Sequence, residues 1–237
     1  PFSSQRICRV TLQKLHFHFY KKFHSVWVPD TAGEENLSGA LAHMHQPAVQ
    51  PNYIGLLSRF DFKPVKQNSS GLLILLSGPE PQRSVLEQKI INGLNRYSEP
   101  VILVRGLPAS NEQLTVPSHI EVFNHLSTSQ LQQYMLQAQY IICRSGYSTV
   151  MDLIALNRKA ILVPTPGQTE QEYLARYLLH KGYFPFVLQK EFDAEKALNT
   201  AAAFTYKNPF SEKQFTEYYS VIENLLFQIQ KHKSRNN

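Results

Sequence analysis

Residues 144–152 read RSGYSTVMD and contain the strongest structural signal of the chain. They follow an apolar run at residues 140–143 that predicts a buried strand, and they begin a helix with apolar periodicity. Residues 164–171, PTPGQTEQ, repeat this arrangement after a second apolar run at residues 160–163. A turn of small residues between a strand and a helix leaves backbone N–H groups free at the positive end of the helix dipole, where a phosphate group can bind. Both junctions therefore predict an anion-binding site.

The same alternation of strand and helix extends from residue 71 to residue 188. Continuous apolar runs predict strands that are covered on both faces, and apolar residues at helical spacing predict the helices between them. The predicted strands are residues 71–76, 101–104, 120–123, 140–143, 160–163 and 184–188, and the predicted helices are residues 85–97, 129–138, 147–156 and 169–180. Strands joined through helices pair in parallel. The sequence therefore predicts the α/β class with a doubly wound, mainly parallel sheet.

Composition sets broad limits on the class of protein. The 237 residues are 43% hydrophobic and 18% charged, as in an ordinary globular protein. No apolar run is long enough to span a bilayer, and two cysteines do not make a disulfide framework, so a reducing, cytoplasmic compartment is predicted. The net charge of +6 suits an anionic ligand or an anionic membrane surface. Nucleic-acid binding is not predicted, because the basic residues lack an accompanying pattern of aromatic residues.

From residue 71 to about residue 186 the chain resembles the C-terminal domain of the family 28 glycosyltransferases. The resemblance depends on the turn at Ser145 and Gly146, the acidic Asp152 downstream, and the Pro-rich turn before a helix that contains Gln171. It implies the GT-B architecture, in which two Rossmann-like domains face each other across a cleft and the C-terminal domain holds a nucleotide-sugar. It also implies transfer of a hexosyl group, in the first instance N-acetylglucosamine, from a UDP-sugar to an acceptor hydroxyl with inversion.

The resemblance also implies a division of the chain. Residues 1–62 correspond to the closing segment of a truncated N-terminal domain and the start of a linker, and residues 63–70 to a polar linker. Residues 71–210 correspond to the donor-binding domain, and residues 211–237 to a C-terminal helix that packs back toward the N-terminal domain. The first residue, Pro1, agrees with a processed or truncated chain. Because this family keeps its general base on the N-terminal domain, we expect the chain to bind the donor without completing the transfer.

The first motif is assigned by the resemblance to the phosphates and the ribose of the donor. Family residues that match Ser145 and Gly146 lie by the donor diphosphate. The acidic residue that matches Asp152 binds the ribose hydroxyls, which a carboxylate can accept as a pair. A structural alternative stays open, because residues 149–152 also match a capping box.

The second motif is assigned to the ribose and the transferred sugar. Gln171 matches a family glutamine that contacts sugar hydroxyls, and a carboxamide offers both a donor and an acceptor for that contact. Thr169 and Glu170 are assigned to the same site. Residues 169–172 match a capping box as well, and for Glu172 this structural role is the favoured interpretation.

Residues 77–83, SGPEPQR, follow the first strand of this domain, where related enzymes have a phosphate-binding loop. We expect Ser77 and Gly78 to contact the donor diphosphate and Arg83 to point its guanidinium at the phosphates. The two prolines of this segment are equally typical of a stiff turn with no ligand.

The segment after the third strand matches family residues whose backbone pairs with the nucleobase. The residues assigned to base binding are Phe123, His125 and Leu126. Arg105 and Gly106, which follow the second strand, are interpreted as another turn that lines the cleft.

No cofactor and no metal ion are predicted, since the UDP-sugar is a substrate. The family implies that helix N-termini meet the growing negative charge of the leaving nucleoside diphosphate. His16, His18 and His24 have metal-like spacing, but without a cluster of Cys or carboxylate residues a packed or solvated surface is favoured. The expected partners are the UDP-sugar, an acceptor that is lipid-linked or a saccharide, and an anionic membrane contacted at its inner face.

Two alternative functions stay open at the level of the sequence. Related folds hydrolyse or epimerise UDP-sugars, and the motifs barely distinguish these reactions from glycosyl transfer. The chain could also be a non-catalytic subunit that binds the donor and pairs with a separate acceptor-binding chain.

Overall fold

The computed structural model describes residues 19, 22–23, 25–43, 50–63, 70–95 and 97–233. His16, His18 and His24 lie outside the described residues. Contacts between Cα atoms group the chain into two compact units, one of residues 1–56 with 216–237 and the other of residues 57–215.

The described part of the first unit contains two short parallel strands. Strand β1 (Val26–Val28) pairs with β2 (Pro51–Tyr53), and helix α1 (Ala40–His43) lies between them in the sequence. Strand β2 begins with a proline, Pro51. Proline is tolerated at the first residue of a strand, where its missing N–H need not leave a gap in the ladder.

The loop after β1 is organised by one buried carboxylate. Asp30 has no exposed surface and accepts hydrogen bonds from the backbone N–H groups of Leu37 (3.0 Å) and Ser38 (2.9 Å), and from the Ser38 hydroxyl. His43 Nε2 lies 3.3 Å from the same carboxylate, and its ring stacks on Tyr53 with 4.7 Å between centroids. Several donors to one carboxylate satisfy the buried charge, so Asp30 stabilises this loop.

The second unit contains one sheet of five parallel strands with the order β5-β4-β3-β6-β7. The strands are β3 (Leu72–Leu75), β4 (Val101–Val104), β5 (Ile120–Phe123), β6 (Tyr140–Cys143) and β7 (Ala160–Leu162). The helices of this unit are α2 (Gln82–Gly93), α3 (Thr128–Gln137), α4 (Tyr147–Ala155), α5 (Thr169–His180) and α6 (Ala194–Ala203). Helix α7 (Glu212–Lys233) begins in the second unit, and its residues from 216 onward belong to the first. The predicted α/β class and the doubly wound parallel sheet are confirmed.

The apolar runs form strands because helices cover both faces of the sheet. Leu103 and Ile161 are fully buried, and the thiol of Cys143 is buried enough that desolvation raises its pKa to about 12. Strands β3 and β6 are neighbours in register, with Leu75 opposite Cys143. The chain adds β4 and then β5 on one side of β3, and afterwards adds β6 and β7 on the other side. The direction in which strands are added therefore reverses between β3 and β6. In such sheets, ligands bind beyond the carboxyl ends of the strands at the reversal point.

Two elements of the second unit differ from the sequence-based expectation. The predicted strand at residues 184–188 consists of a single bridge between Leu162 and Phe186, followed by a 3₁₀-helix at Gln189–Glu191. Pro185 accepts a hydrogen bond from the Leu162 N–H but has no N–H of its own to extend the ladder. Helix α6 was not predicted, and its buried face consists of Ala194, Ala197 and Ala201.

None of the helices within the described ranges combines the length and the low charge needed to cross a bilayer.

Candidate functional site

A cavity of about 180 Å³ lies at the carboxyl ends of β3 and β4, beside the loop that follows β5. We call it the carboxyl-edge cavity. Its lining residues are Arg59, Leu75, Leu76, Ser77, Val104, Gly106, His125, Leu126, Leu131, Met135, Thr149 and Asp152. The structure therefore brings together four residues that the sequence assigned to the donor site: Ser77, His125, Leu126 and Asp152. Complete ligand pockets usually measure about 300–1,000 Å³, so this cavity suits one portion of a larger ligand.

The floor of the cavity depends on a close approach of two backbone segments. Gly106 has φ of +71°, and a Cβ atom at this position would lie 2.4 Å from the carbonyl oxygen of Leu76. Only glycine can place the turn after β4 so near the end of β3. The interpretation of residues 105–106 as a lining turn is correct for Gly106. The Arg105 side chain is buried elsewhere, where its Nε donates to Glu87 at 2.8 Å and its Nη2 to Glu112 at 3.0 Å.

Asp152 is the acidic residue of the cavity and is 3% exposed. Its Oδ1 accepts a hydrogen bond from the Ser58 hydroxyl (2.7 Å), and its Oδ2 accepts one from Nε of Arg59 (2.8 Å). The capping-box alternative is wrong, because the residue that caps α4 is Gly146 and no side chain caps this helix. The pair of Asp152 with Ser58 and Arg59 was not predicted, since partners so far apart in the sequence leave no local pattern. The Arg59 side chain is 46% exposed and can move at little cost.

Ser145 and Gly146 lie where β6 passes into α4. The Ser145 hydroxyl is buried and donates to the backbone carbonyl of Gln171 at 2.9 Å, so it connects the two junctions. Gly146 is the N-cap of α4, and the space beside it is open, with the Thr149 hydroxyl oxygen 3.9 Å from a Cβ built on it. The positive end of the α4 dipole is therefore accessible at Gly146. Assignment of Ser145 and Gly146 to a diphosphate stays a prediction.

Gln171 lies in the first turn of α5 and supports the preceding loop. Its Oε1 accepts a hydrogen bond from the Thr165 N–H at 3.0 Å, and its Nε2 donates to Oε1 of Gln168. The N-cap of α5 is Gln168, and Glu172 accepts from the Gly167 N–H at 3.1 Å. The capping box expected at residues 169–172 is therefore not formed.

The other residues assigned to the sugar lie on the surface. Thr169 and Glu170 begin α5 and are exposed. Their assignment, like that of Gln171, stays a prediction.

The loop after β3 presents Ser77 and Gly78 to solvent, whereas Arg83 is buried. Gly78 has φ of +99°, and the Thr165 hydroxyl oxygen lies 3.5 Å from a Cβ built on it. This hydroxyl oxygen is buried and has no hydrogen-bond partner in the described part of the chain.

Arg83 does not point toward solvent but forms ion pairs with Glu80 (2.6 Å) and Glu87 (3.1 Å). Its predicted contact with phosphates would require these ion pairs to break.

Phe123 is the base-binding candidate that does not line the cavity. It ends β5, and its ring packs against Tyr134 with 5.5 Å between centroids. Its assignment stays a prediction, with no support from its position.

Arg144 is a buried cation at the start of the first motif, and no role was predicted for it. It is 2% exposed, and it donates to the carbonyl oxygens of Gln82 (2.8 Å) and Val163 (3.1 Å), with longer contacts to those of Ser77 and Pro164 (3.5 Å each). Burial lowers its pKa to about 10. No carboxylate pairs with it among the described residues. Arg144 therefore connects the loops after β3 and β7 and adds positive charge at the reversal point. A basic residue directly after a buried strand was the only signal for this role.

Metal binding has no geometric support in the described ranges, where no group of three His, Cys, Asp or Glu residues could hold an ion.

Comparisons with known proteins add family information to this geometry. Residues 88–220 match the family model described as "Glycosyltransferase family 28 C-terminal domain". Two curated relatives are UDP-N-acetylglucosamine–N-acetylmuramyl-(pentapeptide) pyrophosphoryl-undecaprenol N-acetylglucosamine transferases. The one from Pasteurella multocida is 30% identical over 137 residues, which are 56% of this chain and 39% of the relative. The one from Caldanaerobacter subterraneus is 28% identical over 109 residues, which are 45% of this chain and 28% of the relative. The chain thus matches well under half the length of these relatives.

Among solved structures, the glycotransferase of kitacinnamycin is similar with a TM-score of 0.51 and 13% sequence identity. The similarity covers 72% of this chain and 46% of that one. At this level of identity the likeness concerns the fold alone.

Proposed function

This chain belongs to the glycosyltransferase family 28 C-terminal domain family, and on that basis we propose that it is the donor-binding part of a glycosyltransferase. The reaction is transfer of a hexosyl group, N-acetylglucosamine, from a UDP-sugar to an acceptor hydroxyl with inversion. The observation that carries the proposal is the carboxyl-edge cavity, where Asp152 meets the loop of His125 and Leu126 at the reversal point of the sheet. Hydrolysis and epimerisation are not favoured, because the matched curated relatives are named as transferases.

The nucleoside occupies the carboxyl-edge cavity in this proposal. The base lies against Leu126 and the backbone of the loop after β5, and the ribose hydroxyls donate to Asp152. Each carboxylate oxygen accepts two hydrogen bonds. Oδ1 already accepts two, from the Ser58 hydroxyl and from the Arg59 backbone N–H, so a pair of ribose hydroxyls needs both positions on Oδ2, one of which the Arg59 Nε now occupies. Ser58 and Arg59 occupy Asp152 in the absence of the donor. Because Arg59 is half-exposed, exchange of its ion pair for a ribose hydroxyl costs about 1 kcal/mol or less.

The diphosphate lies between the N-terminus of α4 at Gly146 and the loop of Ser77 and Gly78. Two buried polar groups support this position, one with an unpaired charge and one without a hydrogen-bond partner among the described residues. The buried Arg144 lacks a carboxylate partner in the described ranges, and the buried Thr165 hydroxyl oxygen beside Gly78 lacks a hydrogen-bond partner there. A diphosphate supplies the negative charge that a buried guanidinium lacks, and it supplies acceptor oxygens.

The same groups stabilise the leaving UDP. Negative charge grows on the diphosphate as the bond to the anomeric carbon breaks, and the helix dipole and Arg144 lower the energy of that charge without a metal ion. The general base that accepts the proton of the acceptor hydroxyl belongs to the domain that faces this one. The acceptor is lipid-linked or a saccharide, and the protein works at the inner, cytoplasmic face of the membrane.

Calorimetry with UDP and UDP-N-acetylglucosamine on the 237-residue chain tests the proposal, and Gln171→Ala tests the assignment of the sugar site. We expect both ligands to bind the unaltered chain. Loss of the Gln171 carboxamide removes hydrogen bonds to the sugar but none to the nucleotide, so the affinity for UDP-N-acetylglucosamine falls about tenfold while the affinity for UDP is unchanged.

Lys196→Ala, an exposed change on α6, serves as the control for Gln171→Ala. Equal losses for UDP and the UDP-sugar would show that Gln171 acts through the loop it supports. Absence of UDP binding at millimolar ligand, with the fold intact by circular dichroism, would refute the proposed function.

A further inference from the structure

A second cavity lies at the opposite edge of the sheet, where β6 and β7 begin. Its volume is about 490 Å³, and we call it the amino-edge cavity. It lies between the end of α4 and the loop that follows α6, and its polar lining includes Arg158, Lys159 and Lys207. Nothing in the proposed donor site uses these residues.

The charged side chains that line the amino-edge cavity are all basic. Three basic side chains line it, and no Asp or Glu is among its described lining residues. Lys159 and Lys207 are exposed, whereas Arg158 is 8% exposed. The local concentration of positive charge attracts anions, and the low dielectric beside Arg158 strengthens that attraction.

Arg158 has unused hydrogen-bonding capacity. Its Nη2 donates to the carbonyl oxygen of Ala138, while its buried Nε has no partner in the described part of the chain. Burial also lowers the pKa of this guanidinium. A buried cation with an unsatisfied donor is costly in free energy, and a bound anion would offset that cost.

The remaining walls are aromatic and held in place. The Tyr206 hydroxyl donates to the carbonyl oxygen of Ala160 at 3.2 Å, and its ring packs edge-on against Phe204 and Phe184 with centroids 4.9 Å and 6.4 Å away. The Lys159 ammonium lies 5.8 Å from the centre of the Tyr206 ring. A rigid aromatic wall beside a cationic group suits a ligand that has a planar apolar body and an anionic end.

We propose that the amino-edge cavity binds a small organic anion in which a planar apolar body carries a carboxylate or a phosphate group. The anionic group pairs with Arg158, Lys159 and Lys207, and the planar body packs against Tyr206 and Phe204. This site is separate from the donor site, since the two cavities share no lining residue and lie at opposite edges of the same parallel sheet.

Nuclear magnetic resonance of the ¹⁵N-labelled 237-residue chain tests this inference, with phenyl phosphate and benzoate as separate probes. We expect saturable shifts of the amides of Lys159 and Tyr206, and none at Gly106 or Gly146. Saturation by both probes supports a general anion site, and saturation by phenyl phosphate alone supports a phosphate site. Anisole, which lacks the charge, and inorganic phosphate, which lacks the apolar body, are both expected to bind at least about tenfold more weakly.

The double variant Lys159→Ala, Lys207→Ala removes two exposed cations without altering the core. We expect it to weaken binding of the probes about tenfold or more, whereas Lys196→Ala, which removes one exposed cation outside the cavity, has no effect. Saturating UDP is expected to leave the titration unchanged, so a failure of the donor-site proposal would not affect this result. Absence of saturation at millimolar probe, shifts confined to Gly106 and Gly146, or equal effects of the double variant and Lys196→Ala would overturn the inference.

Discussion

Replacement of Asp152 with alanine is expected to lower the affinity for UDP by about 10- to 100-fold. Hydrogen bonds that involve a charged group contribute about 1.5–3 kcal/mol, and this change removes the carboxylate that accepts the ribose hydroxyls. The loss should be similar for UDP and UDP-N-acetylglucosamine, because both carry the ribose. Calorimetry of the two ligands measures the effect.

Two further variants separate recognition of the ribose from support of the fold. Asp152→Asn keeps the shape but removes the charge, and we expect an intermediate loss of affinity. Asp61→Ala removes an exposed carboxylate of the same unit and should leave the affinity unchanged. The free energy of unfolding should fall by only about 1 kcal/mol in Asp152→Ala, since Ser58 and the half-exposed Arg59 can turn to water. A large loss of stability with unchanged affinity would show that Asp152 serves only to hold Ser58 and Arg59.

Replacement of Gly106 with alanine is expected to lower the free energy of unfolding by at least about 3 kcal/mol. The new Cβ would lie 2.4 Å from the carbonyl oxygen of Leu76, and a backbone group cannot give way without moving the end of β3. Leu76 also lines the carboxyl-edge cavity, so the affinity for UDP should fall together with stability. Urea denaturation of the variant measures the first effect and calorimetry the second.

Gly167→Ala is the matched control for this prediction. Gly167 has φ of +82°, but nothing lies within 4 Å of a Cβ built on it. The control therefore includes the cost of a left-handed backbone, about 1–2 kcal/mol, without the steric clash. The difference between the two variants isolates the contribution of the close approach at Leu76. Equal losses of stability would mean that the turn after β4 can relax away from β3.

The strands and helices of the second unit were largely predictable because their signals are local. The apolar runs at residues 101–104, 120–123 and 140–143 form strands with the predicted bounds, and α5 begins and ends at the predicted Thr169 and His180. Strands that are buried on both faces consist of continuous apolar runs, which can be recognised in the sequence. Helix α6, with its face of buried alanines, was not predicted.

The candidate site was only partly predictable because its details depend on distant partners. Ser77 and His125 follow strands, and Asp152 lies in the helix that follows β6. The order of strands and helices therefore predicts that all three lie near the carboxyl edge of the sheet. The ion pair of Asp152 with Arg59 joins residues 93 positions apart, and no local sequence pattern predicts a contact between such distant residues. Both capping boxes were wrong for a local reason: α4 and α5 begin one or more residues earlier than the motifs assumed, so Gly146 and Gln168 are the N-caps.

A crystal structure of the 237-residue chain with UDP would locate the nucleotide and so decide on the proposed donor site. We expect the uracil and ribose in the carboxyl-edge cavity, with a ribose hydroxyl within hydrogen-bond distance of Asp152 and the Arg59 side chain moved away from it. We expect the diphosphate at the N-terminus of α4 beside Gly146. UDP bound elsewhere on the chain, or bound with the pair of Asp152 and Arg59 intact and no ribose contact, would refute the proposed donor site.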